Sequence, residues 1–250
     1  MMMAIWVFIS MVFWNQDDCM QRCIIENGMH FINTPYQAGT LDQTDKETLV
    51  INSSAFDCVT YVEYILALSL YHCKKEQSFE GYLQALRYRN GEIDGYGSRI
   101  HYTSEWINNG VSNGFFKEIT EDLGGKPTKK TINYITSHKH KYPKLKSGKD
   151  IKKINDTELI LSNQVHYSIE KQNVDTMLEK LQSGDIIAIE TDILGLDISH
   201  VGFVMREGNT VKFLHASESK NKVVVSEISL SSYLQSHRHQ TAIRVLRAIN

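Results

Sequence analysis

Proline is scarce in this chain of 250 residues, three in all, so no stretch can serve as a proline-rich linker. No tract is low-complexity and no internal repeat is visible, which excludes repeat arrays. An excess of one charge is missing too: 27 Lys and Arg stand against 29 Asp and Glu, for a formal net charge of −2. Such a balance offers nothing to a polyanion, and nucleic acid is not an expected partner. No apolar run reaches the ~18 residues that a spanning helix needs. Cysteine is sparse, and Cys19, Cys23, Cys58 and Cys73 are too few for a disulfide framework in a chain this long. None stands in Cys-x-x-Cys spacing, so a thiolate zinc site is not expected, nor any other metal or cofactor. Cys19 and Cys23 would share a helix face, and Cys73 reads as a small hydrophobe behind an apolar helix.

What is present begins with an apolar run from Met1 to Trp14, broken by Ser10 and ended by Asn15-Gln16-Asp17-Asp18. Its length suits the centre of an export signal or a buried N-terminal helix. No positive residue precedes it and no small-x-small pattern follows. We read residues 1–18 as an atypical export signal, which implies an extracytoplasmic location in the periplasm or cell envelope. Residues 19–250 then form a single domain.

Residues 20–32 read as a helix ended by Pro35, which clashes with a continuing helix. Ser54-x-x-Asp57 resembles a capping box ahead of a second helix, Cys58 to Tyr71, that is apolar nearly all round and therefore central. Phe79 to Tyr88 and the segment after Arg99 look helical, as does Val174 to Leu181. The Lys/His-rich stretch 138–153 reads as a solvated face. After Ser183-Gly184-Asp185 the period becomes that of strands: 186–189, 200–206, 211–215, 223–228 and 242–249. Helices followed by strands predict an α+β fold, with the Cys58 helix packed on an antiparallel sheet and a largely helical insert at about 75–180.

Cys58 stands where a polar loop turns into that central helix. Unpaired N–H groups and the positive end of the helix dipole favour a thiolate there, and an adjacent imidazolium would favour it further. His200 and His215 lie on consecutive strands. A Glu207-Gly208 loop would set them directly opposite, and a Gly208-Asn209 loop would leave them diagonal. Either register puts both on one face, His200 as the base for Cys58 and His215 as the group that orients it. Arg99, His101, Tyr102 and Trp106 combine a bidentate carboxylate binder with aromatic rings, a mix suited to a substrate carrying carboxylates and a sugar.

The strings Pro35-Tyr36-Gln37-Ala38-Gly39, Asp57-Cys58, Ser199-His200-Val201-Gly202 and Leu214-His215-Ala216 resemble the NlpC-like cell-wall cysteine hydrolases, whose fold is papain-like. Cys58-Val59-Thr60-Tyr61-Val62-Glu63 in place of Asp-Cys-Ser-Gly, together with the long segment before His200, is similar to their N-acetylmuramoyl-L-alanine amidase branch. The resemblance implies Cys58 as nucleophile, His200 as base and His215 as third member, with Tyr36, Asp57 and Ser199 beside the substrate. It implies peptidoglycan fragments (muropeptides) as substrate, cut between the lactyl group of muramic acid and L-alanine, with no stable protein partner. Two alternatives stay open: a γ-D-glutamyl-diamino-acid endopeptidase using the same triad, for which Asp57 would meet the stem's free amine, and a non-catalytic wall-binding module.

Overall fold

The computed structural model describes residues 19–250, and the proposed export signal at 1–18 lies outside the described residues. Helix α1 (Cys19–His30) precedes α2 (Cys58–Cys73), which starts on the thiol; α3 (Phe79–Arg87) and α4 (Thr103–Ser112) follow. Then come strands β1 (Phe116–Glu118) and β2 (Lys126–Thr128), helices α5 (Tyr134–Ser137) and α6 (Gly148–Asn163), and strand β3 (His166–Glu170). Strands β4 (Ile186–Thr191), β5 (Ile198–Glu207), β6 (Thr210–Ser217) and β7 (Lys222–Val225) lead to α7 (Leu230–Ser236) and β8 (Gln240–Ala248). Among the described residues no helix is long and apolar enough to cross a membrane.

The sheet is antiparallel throughout and ordered β2-β3-β8-β4-β5-β6-β7, with β1 also paired to β8. Alternation sends Val201, Phe203, Leu214 and Ala216 towards Tyr61, Val62, Ile65 and Leu66 of α2. The opposite residues, Val204, Val211, Phe213 and Ile243, meet Leu230 and Leu234 of α7 and the segment holding Val174, Met177 and Leu181. Both faces are therefore covered. Helix α2 is buried on nearly every side, even at Glu63, which is ion-paired to Arg87 at 2.7 Å with both side chains 3% exposed. A buried carboxylate is tolerable only with such a partner.

Several expectations need correction. The stretch 75–180 is not only helical: β1, β2 and β3 extend the sheet beyond β8. Helix α6 arises partly from the Lys-rich stretch, because Ile154 and Leu161 seat it on Tyr96, Tyr102 and Ile135 while its lysines face solvent. Val174, Met177 and Leu181 are buried at helical spacing, but the chain there forms tighter 3₁₀ turns, 171–176 and 178–180. The capping box is Asp57 with Thr60 rather than Ser54 with Asp57. Cys73 is no isolated hydrophobe, since its Sγ lies 2.8 Å from that of Cys19 and 3.0 Å from that of Cys23.

Candidate active site

The site lies where the start of α2 meets the β5–β6 hairpin. Asp57 closes the first turn of α2: its Oδ1 accepts from the Thr60 N–H at 2.8 Å, and Thr60 Oγ1 accepts from the Asp57 N–H at 2.9 Å. Two of the orphan donors at the helix start are thereby satisfied. The carboxylate expected to meet a substrate amine thus spends one oxygen on holding the helix. The Cys58 sulfur receives backbone N–H groups from Cys58, Val59 and Val201, the last of these following His200 on β5. That bond stitches the helix start to the histidine strand.

Hairpin pairing runs Phe203 to Leu214, Val204 to Phe213 and Glu207 to Thr210, through a Gly208-Asn209 turn with Gly208 at φ 59°. A left-handed turn residue of this sort matches the twist of the strands it joins. This is the diagonal register. Gly202 lies beside His215, and a Cβ there would stand 2.7 Å from the Leu214 carbonyl oxygen and 2.8 Å from His215 Cβ. With no side chain between them, His200 Nε2 and His215 Nδ1 meet at 2.7 Å, the rings nearly perpendicular. His200 is bonded through Nε2, which leaves its Nδ1 for another partner.

Aromatic rings pack around His215, which is buried, while His200 keeps partial exposure. Phe213 stacks on His215 at 4.7 Å, and Tyr233 of α7 meets His215 edge-on at 5.2 Å. Burial lowers His200 to about 4, helped by the nearby His237, and lowers His215 to about 2, helped by His200 and His237. Burial and then the Asp57 carboxylate push the Cys58 thiol up to about 12, outweighing the three N–H groups that favour the anion. These shifts run against the expected thiolate–imidazolium pair. With the thiol raised and both imidazoles lowered, the neutral forms of all three groups are favoured near pH 7.

Tyr36 is drawn in by a bridge between residues 36 and 56, and its hydroxyl is raised first by burial, then by Cys58 and Asp57. Ser199 is exposed, and its Oγ reaches only the Ile189 carbonyl, at 3.4 Å. One turn into α2 a small pocket of about 30 Å³, room for a water molecule, is walled by Val59, Val62 and Val201 together with Ile100, His101, Thr103 and Trp106. The predicted recognition segment thus borders the site, but its polar groups are mostly committed elsewhere.

Arg99 does not stand as a free carboxylate binder. It is held by Glu47 at 2.8 Å and by Asp42 at 2.9 Å, and its own side chain is 8% exposed. Tyr102 donates its hydroxyl to Glu158 at 2.7 Å, and Trp106 packs in the core against Phe116 at 4.9 Å. His101 is tied to the Tyr96 carbonyl at 3.0 Å and lowered to about 4 by burial, so it lines the cavity as a neutral ring. We expect Arg99→Ala to destabilise the protein by about 3 kcal/mol, because the buried Glu47 carboxylate loses its cation and keeps only the Tyr88 hydroxyl at 2.8 Å. Thermal unfolding checks this; an unchanged transition with a raised KM would restore the recognition role.

The Val201 N–H and the Tyr233 ring escaped sequence reading. A backbone donor carries no residue signature, and α7 is a short helix whose approach to His215 is set only by the tertiary fold.

This architecture recurs in known proteins. An N-acetylmuramoyl-L-alanine amidase from Bacteroides uniformis ATCC 8492 superposes with a TM-score of 0.87 at 39% identity, covering 92% of this chain and 99% of its own. A Bacteroides fragilis structure, described as a candidate xylanase, gives 0.82 at 38% identity over 89% and 99% of the two chains. A protein from Legionella pneumophila str. Philadelphia 1, at 24% identity and a TM-score of 0.72, shares the fold. No curated protein matches the chain. The family described as AmiA-like, N-acetylmuramoyl-L-alanine amidase-like, matches residues 26–242, and with most of its length so matched the chain belongs to that family.

Proposed function

We propose that the protein is a cysteine-dependent peptidoglycan amidase that severs muramic acid from L-alanine in muropeptides. One observation carries this reading: the 2.7 Å His200–His215 bond leaves His200 Nδ1 free, one residue from the amide that holds the Cys58 sulfur. A base fixed by an orienter beside a thiol at a helix start is the layout of thiol acyl transfer. Cys58 attacks the lactyl carbonyl while His200 takes the thiol proton. His200 then gives that proton to the departing L-alanine amine, leaving a thioester. Water activated by His200 hydrolyses the thioester and regenerates the thiol. The Cys58 backbone N–H is the donor assigned to the oxyanion.

The resemblance of Cys58-Val59-Thr60-Tyr61-Val62-Glu63 to the amidase branch makes an anhydro-muramyl terminus the preferred substrate end. A glycosidase would rely on two opposed carboxylates, whereas the groups described around Cys58 are two imidazoles and a single carboxylate, Asp57. We place the reaction outside the cytoplasm on the strength of the apolar N-terminal run, and cell fractionation checks that placement.

Incubation with anhydro-muramyl-tetrapeptide is expected to release free tetrapeptide, with L-alanine at its N-terminus, and the anhydro sugar. Mass spectrometry distinguishes the outcomes. A muramyl-dipeptide product would move the cut to the γ-D-glutamyl link and make the protein an endopeptidase. No product at all would leave the wall-binding reading.

A further inference from the structure

Three thiols meet at the junction of α1 and α2: Cys19 and Cys23, one turn apart on α1, and Cys73, the last residue of α2. The sulfurs lie 2.8 Å apart for Cys19–Cys73, 3.0 Å for Cys23–Cys73 and 4.0 Å for Cys19–Cys23. The i,i+4 spacing puts two ligands on one helix face, and the neighbouring helix supplies the third. Cys58 stands at the other end of α2 and takes no part.

We propose that Cys19, Cys23 and Cys73 form a binding site for a thiolate-seeking metal ion of the zinc class, which clamps α1 to the helix that begins at Cys58. Triangular geometry argues for an ion over a disulfide. From these three edges, a point about 2.3 Å from every sulfur, the zinc–thiolate distance, lies roughly 1.1 Å off their plane. One ion can reach all three sulfurs once the 2.8 and 3.0 Å edges open towards the ~3.8 Å that tetrahedral zinc–thiolate bonds of ~2.3 Å require. A disulfide joins a single edge and leaves the remaining thiol idle beside it. All three residues keep intermediate exposure, so water can complete a four-coordinate shell. Binding exchanges their protons for the ion and ties the helices together, so it adds to stability by mass action.

The test titrates the reduced full chain with zinc against a chromophoric chelator and repeats the titration with cobalt. One equivalent per chain is expected, with a thiolate-to-cobalt charge-transfer band. Cys58→Ala should leave the stoichiometry unchanged, while Cys23→Ser should weaken binding by about 100-fold or more. Alkylation of the parent chain supplies a readout that needs no variant. Zinc should protect Cys19, Cys23 and Cys73 from iodoacetamide and leave Cys58 labelling at its zinc-free rate. Two results would overturn the site: equal zinc affinity in the Cys19→Ser/Cys23→Ser/Cys73→Ser chain, or a parent protein isolated from zinc-replete cells with Cys73 already in a disulfide. Neither depends on muropeptide turnover.

Discussion

A Cys58→Ala protein should turn over muropeptide at least about 10⁴-fold more slowly than its parent while unfolding at nearly the same temperature. The sulfur is the atom that forms the acyl bond in the proposed reaction, and nothing described nearby can replace it. The fold should survive because the cap of α2 is built from Asp57 and Thr60, whose bonds do not involve the Cys58 side chain. Alanine also suits a first helical turn. Cys58→Ser is expected to fail as well, since a hydroxyl is a far poorer nucleophile than a thiol. Rates come from chromatography of released stem peptide, and stability from thermal unfolding. Parent-like turnover by the alanine variant would end the covalent mechanism.

His200→Ala is expected to cost about 10²–10⁴-fold in kcat, the range for a lost general base. His215→Ala should cost less, because it removes an orienter whose contact is with His200 rather than with the thiol. The pH profile gives an independent reading. Burial lowers His200 to about 4, so its ring remains neutral and able to accept a proton at any pH above that value. It becomes cationic, and useless as a base, as the pH falls through it. The acid limb of kcat/KM for the parent should therefore sit well below the ordinary imidazole value of about 6.5. A limb near 6.5 would show that the base titrates in water, outside the box formed by Phe213 and Tyr233.

The central geometry was legible in the chain because its signals are local. An apolar run after Asp57 marks the helix that starts at Cys58, and strand alternation puts His200 and His215 on one face whichever loop joins them. The choice between loops was not legible, and Glu207 pairing with Thr210 settles it. Arg99 was misread for a different reason. Its partners Glu47 and Asp42 come from a loop more than fifty residues upstream, and nothing in the neighbourhood of residue 99 announces them. Helix α6 hid because its buried face includes Thr157 and Glu158, polar residues satisfied by Arg89 and Tyr102. The thiol cluster hid because two helices separated by a long loop supply it. Long-range partners are what a single sequence conceals.

The Gly208-Asn209 turn carries a consequence for how this protein can vary. If the turn is held at two residues, removing or adding one residue there reverses the face on which every later β6 side chain stands. His215 would then point into the packing under α2, and Leu214 into the aromatic box. The spacing of the base and its orienter is therefore counted out from the opposite end of the hairpin, about 20 Å away at the rise of an extended strand. A deletion that keeps the turn at two residues should therefore silence the enzyme as thoroughly as a change inside the cleft. The composition of the turn is constrained chiefly at 208, where the residue must take a positive φ.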